Sequence, residues 1–484
     1  MSLRHVTLVE GDGIGPEIVK AVVHILQEAG AEIEWHNVLL GTKVFDTGST
    51  TGIGADAWAS IRQTGLVLKG PLQVPTSGRL KSVDVTIGKS LGLYANVRAV
   101  KSYAPVVASH YPDMDVVIVR ENEEDLYAGV EHRQTDEVMQ CLKLISRPGS
   151  EKIARYAFEY AVRNGRRKIT CMTKDDVMKI TDGLFHRVFI EVATHYPHIA
   201  TEHIMVDAGT AMLVAAPQDL DVIIAPNMYG ELLSIIAAQE AGGVALTGSV
   251  SLGEAGAVFE SMQGTQPDEA GKGTANPSGL LMAAVKLLLH IGQPAVATRI
   301  KNAWLRVLEQ GVHTADFASS VPGARLVGTQ ELTKHVVAAL GSEPSTLAAV
   351  CYTDTCSTLP PAAKVAHAPA AEKTLVGVDV FLHWRGENPD ELGAHLSKAG
   401  NDNLNLIMIT NRGVKVWPGG MKETYCTDHW RCRFIASNGE GVISNRDIIS
   451  LMERVDALGL DFIKCENLCN FDGVAGYALG QGQA

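Results

Sequence analysis

Arg98 and Arg120 each close a short apolar run, NVR (96–98) and VIVR (117–120). A planar guanidinium takes a carboxylate through two parallel hydrogen bonds, so paired arginines suit a polycarboxylate. Tyr127 follows in VRENEEDLYAGVEH (119–132) and Lys174 in CMTK (171–174). A phenol and an amine can move protons. Asp207 lies in MVDAG and Glu231 in NMYGELLS. Two carboxylates can hold Mg2+ or Mn2+. Taken singly, each residue reads more simply as a surface arginine, a packed tyrosine or a solvated acid. Their spacing alone does not gather them into one pocket.

The elements that must position them alternate along residues 1–340. Strands are expected at 5–9, 66–69, 115–119, 168–172 and 221–225. Helices are expected at 17–29, 149–162 and 277–290. The turn Gly11-Asp12-Gly13-Ile14-Gly15 joins the first strand to the first helix, with Pro16 where a first helical turn accepts it. It lacks the third glycine of the dinucleotide fingerprint. Alternating strands and helices predict an α/β layered fold. The stretch 341–372, rich in Ala, Pro, Ser and Thr from Ser342, reads as a linker. Residues 373–484 then read β-α-β-β-β-α-β, a small α+β domain. Cys426, His429, Cys432, Cys465 and Cys469 lack metal-pair spacing and read as ordinary buried thiols and a histidine.

The 484 residues carry 42 Lys and Arg against 54 Asp and Glu, a formal charge of −12. This argues against nucleic acid as a partner. No run of 18 uncharged apolar residues exists, so no membrane span is expected. The N-terminus enters a strand almost at once, leaving no room for a leader, and eight cysteines fit a reducing cytoplasm.

EGDGIGPE (10–17), KGPL (69–72), LYANVR (93–98), VRENEEDLYAGVEH (119–132), MKITDGLF (178–185) and AGKGTANPSGLLMAA (270–284) together resemble the β-decarboxylating dehydrogenases, isocitrate branch. The final segment resembles the extra C-terminal domain of longer, Thermus-type bacterial isocitrate dehydrogenases. The resemblance implies a two-domain, non-Rossmann α/β fold. Residues 1–100 and 250–340 would form the large domain, and 101–249 a small domain with dimer contacts. It implies oxidative decarboxylation of isocitrate in the tricarboxylic acid cycle, with a nicotinamide dinucleotide and Mg2+ or Mn2+. It also implies a homodimer in which Lys174 and Asp207 reach the partner's cleft. In those terms Arg98, Arg120 and Ser82 hold substrate carboxylates. Lys174 is the base, Tyr127 the acid, and Asp207 and Glu231 the metal ligands. Gln263, Gly264, Asp268 and Asn276 face the cofactor. Asp268 and Glu269 stand where phosphate-using relatives carry Lys and Tyr, so the resemblance implies NAD.

The sequence departs from that pattern. Asp84 replaces an Asn of the substrate segment, and Gly88 replaces its third carboxylate-binding Arg. Ile235 replaces the second acid of the metal helix. Asp176, Val74 and Gln263 replace Asn, Thr and His. Losing one charge-assisted pair to a carboxylate costs on the order of 2–5 kcal/mol. Two alternatives therefore stand beside the first reading. One is a weakened or regulatory paralogue that binds a ligand or an active, paralogous subunit. The other is a dehydrogenase of another 2-hydroxy acid, such as isopropylmalate or homoisocitrate.

Overall fold

Residues 115–121 read Asp-Val-Val-Ile-Val-Arg-Glu, and Val116 through Val119 are fully buried. An unbroken β-branched run of this kind belongs to a strand covered on both faces. Strand Asp115–Glu121 accordingly lies inside a ten-stranded sheet. The order is 33–38, 4–9, 66–69, 257–261, 248–252, 95–101, 115–121, 222–225, 168–173 and 200–205. Most pairs are parallel. Strand Gly248–Leu252 runs antiparallel to both its neighbours, and Ala95–Lys101 runs antiparallel to Asp115–Glu121. Helices pack on this sheet. Gly15–Glu28 starts at a proline and buries Ile18, Val19, Val22, Ile25 and Leu26, one face of a 3.6-residue period. The strands and helices expected by range at 1–340 form with ends shifted by at most two residues.

This is a computed structural model, and it describes residues 3–73, 82–317, 319, 321–353, 370–437 and 441–480. Position 74 and most of the linker, 354–369, lie outside the described residues. Within the linker, 342–353 hold no helix or strand. The chain divides into two compact units, 1–128 with 143–365 and 129–142 with 366–484. No described helix is long and apolar enough to cross a membrane.

The second unit carries a six-stranded antiparallel sheet ordered 414–417, 404–411, 429–436, 373–383, 461–471 and 474–475. Helices Pro389–Leu396 and Asn445–Ala457 accompany it. Trp430, Cys432, Phe434 and Leu382 fill its core. Residues 129–142 fall within the sequence span 101–249, yet their hairpin, Glu131–Arg133 with Met139–Cys141, belongs to this unit. Thr135 Oγ1 donates to Asp428 Oδ1 at 2.5 Å, and Lys464 Nζ donates to Gln140 Oε1 at 2.9 Å. Polar pairs across some 300 residues leave no local trace in the sequence.

Candidate functional site

Asn96 and Arg98 alternate with Val97 along one strand, so both aim to the same face of the sheet. In the antiparallel register Ser251 lies opposite Asn96, and Ser249 opposite Arg98. Asn96 Nδ2 donates to both hydroxyls, at 2.8 Å to Ser249 and 2.9 Å to Ser251. This face forms the floor of a pocket of about 330 Å3. Arg120, at the end of the adjoining strand, enters from one side. Helix Val83–Ser90 supplies Asp84 and Gly88 from another. Ser82, Tyr127, Glu231, Gln263 and Gly264 also line it. Tyr127 lies over the Arg120 guanidinium, 4.9 Å from carbon to ring centre. Ser82 opens helix Val83–Ser90 without a side-chain cap bond.

The centre of the pocket is an ion triad. Glu231 Oε2 sits 2.8 Å from Arg98 Nη2 and in a short contact with Arg120 Nη1. Burial pushes the Glu231 carboxyl up, but the two guanidiniums outweigh this and hold it below the usual carboxylate range. Asn227 accepts from Arg120 Nε through its backbone and side-chain oxygens and from Nη2 through its side-chain oxygen. Ser234 Oγ accepts from Arg98 Nη1 at 2.5 Å. Both arginines therefore already have an acidic and a neutral partner within the protein. Lys69, only 3% exposed, is likewise held between Asp84 at 2.9 Å and Glu260. Desolvation lowers its ammonium pKa, and these two carboxylates more than reverse that. Asp84 is thus a partner of Lys69 in this chain.

Lys174 and Asp207 lie outside this pocket. They pair with one another at 2.9 Å, and Lys174 also reaches Asp176 at 2.9 Å. The hydrogen bonds that Lys174 donates to Asp207 and Asp176 raise its pKa, which holds it as an ammonium. The Lys174 bond correspondingly lowers Asp207. Asp268 sits in the short turn Pro267–Glu269, where Glu269 pairs with Lys272 at 3.1 Å. Asn276 is buried, donating to Asp316 Oδ2 and accepting from Ser278 N, both at 2.9 Å. Its amide is used in setting the start of helix Ser278–His290. Glu17 accepts from Gly273 N and Ala275 N and so pins the same loop to the first helix. Gly13, at φ +57°, lets the first turn press on Thr265, where a Cβ would collide with a carbonyl.

Within one chain, Glu231 and Asp207, the two carboxylates expected to hold a divalent metal, do not fit one as they stand. The carboxylate of Glu231 is held by two guanidiniums and that of Asp207 by Lys174. Ile235, one turn beyond Glu231, offers only hydrocarbon. A group rich in hydrogen-bond donors does fit. Asn96 Oδ1, Ser261 Oγ and Gln263 Oε1 line the same pocket, buried and without hydrogen-bond partners. Such atoms call for N–H or O–H groups from a ligand. Lys69, Asn96, Ser251 and Glu260 were missed as site residues in the sequence. Lys69 and Asn96 left a signal, the KGPL and LYANVR segments, whereas Ser251 and Glu260 left none. The strand alternation that aims Asn96 and Arg98 together becomes informative once the strand is known.

Fold and pocket define the class: an α/β protein with an arginine-lined cleft and an added antiparallel domain. Residues 5–336 match the isocitrate/isopropylmalate dehydrogenase family, and the chain belongs to it. Residues 373–483 match the bacterial isocitrate dehydrogenase C-terminal domain. A Rickettsia bellii protein named as an NADP isocitrate dehydrogenase is 44% identical over 478 residues, 99% of each chain. A crystal structure of a Thermus thermophilus protein superposes with a TM-score of 0.93 at 39% identity, over 99% of this chain and 96% of that one. A mitochondrial protein of Dictyostelium discoideum, named as a regulatory subunit of NAD isocitrate dehydrogenase, is 38% identical over 340 residues. That match spans 70% of this chain and 93% of that one.

Proposed function

We propose that the chain is an isocitrate dehydrogenase-type oxidoreductase, converting isocitrate to 2-oxoglutarate and CO2 with NAD. The observation that carries this is the convergence of Arg98, Arg120 and Tyr127, from three separate elements, on one pocket. The arginines would grip substrate carboxylates, and Tyr127 beside them would protonate the carbon that loses CO2. The nicotinamide cofactor accepts the hydride. Its carboxamide and ribose hydroxyls are donors of the kind that Asn96, Ser261 and Gln263 await. Asp268 and Glu269, in one loop turn, disfavour a 2′-phosphate and support NAD over NADP. The Rickettsia and Thermus relatives carry NADP in their names, so the ratio of kcat/KM for the two cofactors tests this directly. A ratio favouring NADP would overturn the choice.

In the same reading the chain works as a homodimer in the cytoplasm. Met228, Leu232 and Ile235 on helix Asn227–Glu240 recur at i, i+4 and i+7 and remain exposed, an apolar stripe that a second copy would cover. A second copy is also the source from which Lys174 and Asp207 could reach a cleft. The cysteines described are all unpaired, as in a reducing compartment.

A second reading is favoured by the Glu231 triad and by Gly88. With both arginines held internally and the third absent, the chain would be a weakened or regulatory member that binds a carboxylate ligand or an active subunit. Isocitrate-dependent NADH formation with Mn2+ separates the two. Turnover yielding 2-oxoglutarate supports the first reading. Turnover that appears only after Gly88→Arg with Ile235→Asp supports the second. The Gly88 site can accept a side chain, because an added Cβ meets only Asn122 Nδ2, at 3.8 Å.

A further inference from the structure

Strands Ala95–Lys101 and Gly248–Leu252 have two faces, and the arginine pocket uses one of them. On the opposite face Val97, Ala99, Val250 and Leu252 line a second cavity, of about 520 Å3. Helices Arg147–Arg163, Ser278–His290 and Pro294–Glu309 and the stretch 346–352 complete it. Its walls are aliphatic side chains and tyrosines.

Lys301 lies in this wall and is only 8% exposed. Its Nζ donates to the Tyr103 hydroxyl at 2.9 Å and lies 3.0 Å from Met282 Sδ. It sits 4.3 Å from the Trp304 ring centre and 4.6 Å from that of Tyr103. Among the described residues no carboxylate pairs with it. The other charged groups facing the cavity are Lys101, Lys286, Arg166 and Asp115. Asp115, the one acid, is already held by Arg166 at 2.5 Å and by Lys101 at 3.7 Å. The cavity is therefore apolar-walled, with the Lys301 ammonium in its wall lacking a carboxylate partner among the described residues. A buried ammonium needs a counter-charge or must give up its proton.

We propose that this cavity binds a small organic monoanion with an aromatic or branched apolar body. Its carboxylate rests on Lys301 and its body lies against the tyrosines and aliphatic wall. Because the floor is the reverse face of the strands bearing Asn96 and Arg98, the site is separate from the arginine pocket. Burial, with Lys286 and Lys101 adding to it, pushes the Lys301 ammonium far below the lysine range. An anion beside it restores the charged form, so binding takes up a proton.

Calorimetry of the full chain with phenylacetate, in two buffers of different ionisation enthalpy, tests this. One phenylacetate should bind per chain, with proton uptake, and saturating isocitrate should not displace it. Uncharged phenylacetamide should bind at least about tenfold more weakly, and Lys301→Met should lose phenylacetate to a similar degree. Absence of binding at millimolar phenylacetate, equal binding of the amide, unchanged binding in Lys301→Met, or displacement by isocitrate would each overturn the proposal. If Lys301→Met does not fold, the acid–amide comparison on the unaltered chain decides.

Discussion

Glu231 is the residue on which the pocket turns. One methylene longer than the aspartate that the family resemblance expects, it reaches the guanidiniums of Arg98 and Arg120 and occupies them as a tethered carboxylate. An incoming tricarboxylate must displace it. Glu231→Gln removes that competitor and leaves both arginines in place. Isothermal titration with citrate in metal-free buffer should show binding tighter by about one to two decades, the scale of a charge-assisted contact. Unchanged or weaker binding would show that the triad does not compete. Arg98, Arg120 and Tyr127 stand out in the sequence through their motifs, and the structure brings all three to one pocket. Glu231's partners do not stand out, because which cation an acid meets is decided by elements folded together from more than 100 residues apart in sequence. Asp84 shows the same limit: the sequence shows an extra negative charge, and the structure shows Lys69 absorbing it.

Elements were read from the sequence more readily than contacts. The buried run at 116–119 and the proline-led first helix announce themselves by composition and period. The hairpin 131–141 does not, since its anchors are polar atoms distant in sequence. The end of strand Asp115–Glu121 carries a testable strain of charge. Glu121 is 2% exposed, and burial pushes its pKa up to about 8 despite backbone N–H bonds from Glu123 and Glu124. The folded chain therefore holds a proton that the unfolded chain releases near the ordinary glutamate value of about 4.3. Stability should be highest at the acid side of this window, fall as pH rises towards about 8, and level off above it. Urea midpoints across that range should show the slope in the native chain and a smaller one in Glu121→Gln. Equal slopes would locate the titration elsewhere.

The whole molecule adds what no single chain supplies. Lys174 and Asp207 lie outside the arginine pocket, and the stripe Met228, Leu232, Ile235 is exposed on the helix that carries Glu231. A two-fold dimer would account for both. Leu232→Lys should convert a dimer to a monomer in light scattering and remove isocitrate-dependent turnover together with it. A variant that stays dimeric or stays active would separate the stripe from assembly. The most direct test of a cleft completed by a second copy is subunit complementation. Arg120→Ala and Lys174→Ala should each be inactive alone. Mixed under exchange conditions, half the dimers are mixed, each with one intact cleft, so turnover should return to about a quarter of the native value. A mixture that exchanges subunits yet stays silent would contradict the shared cleft.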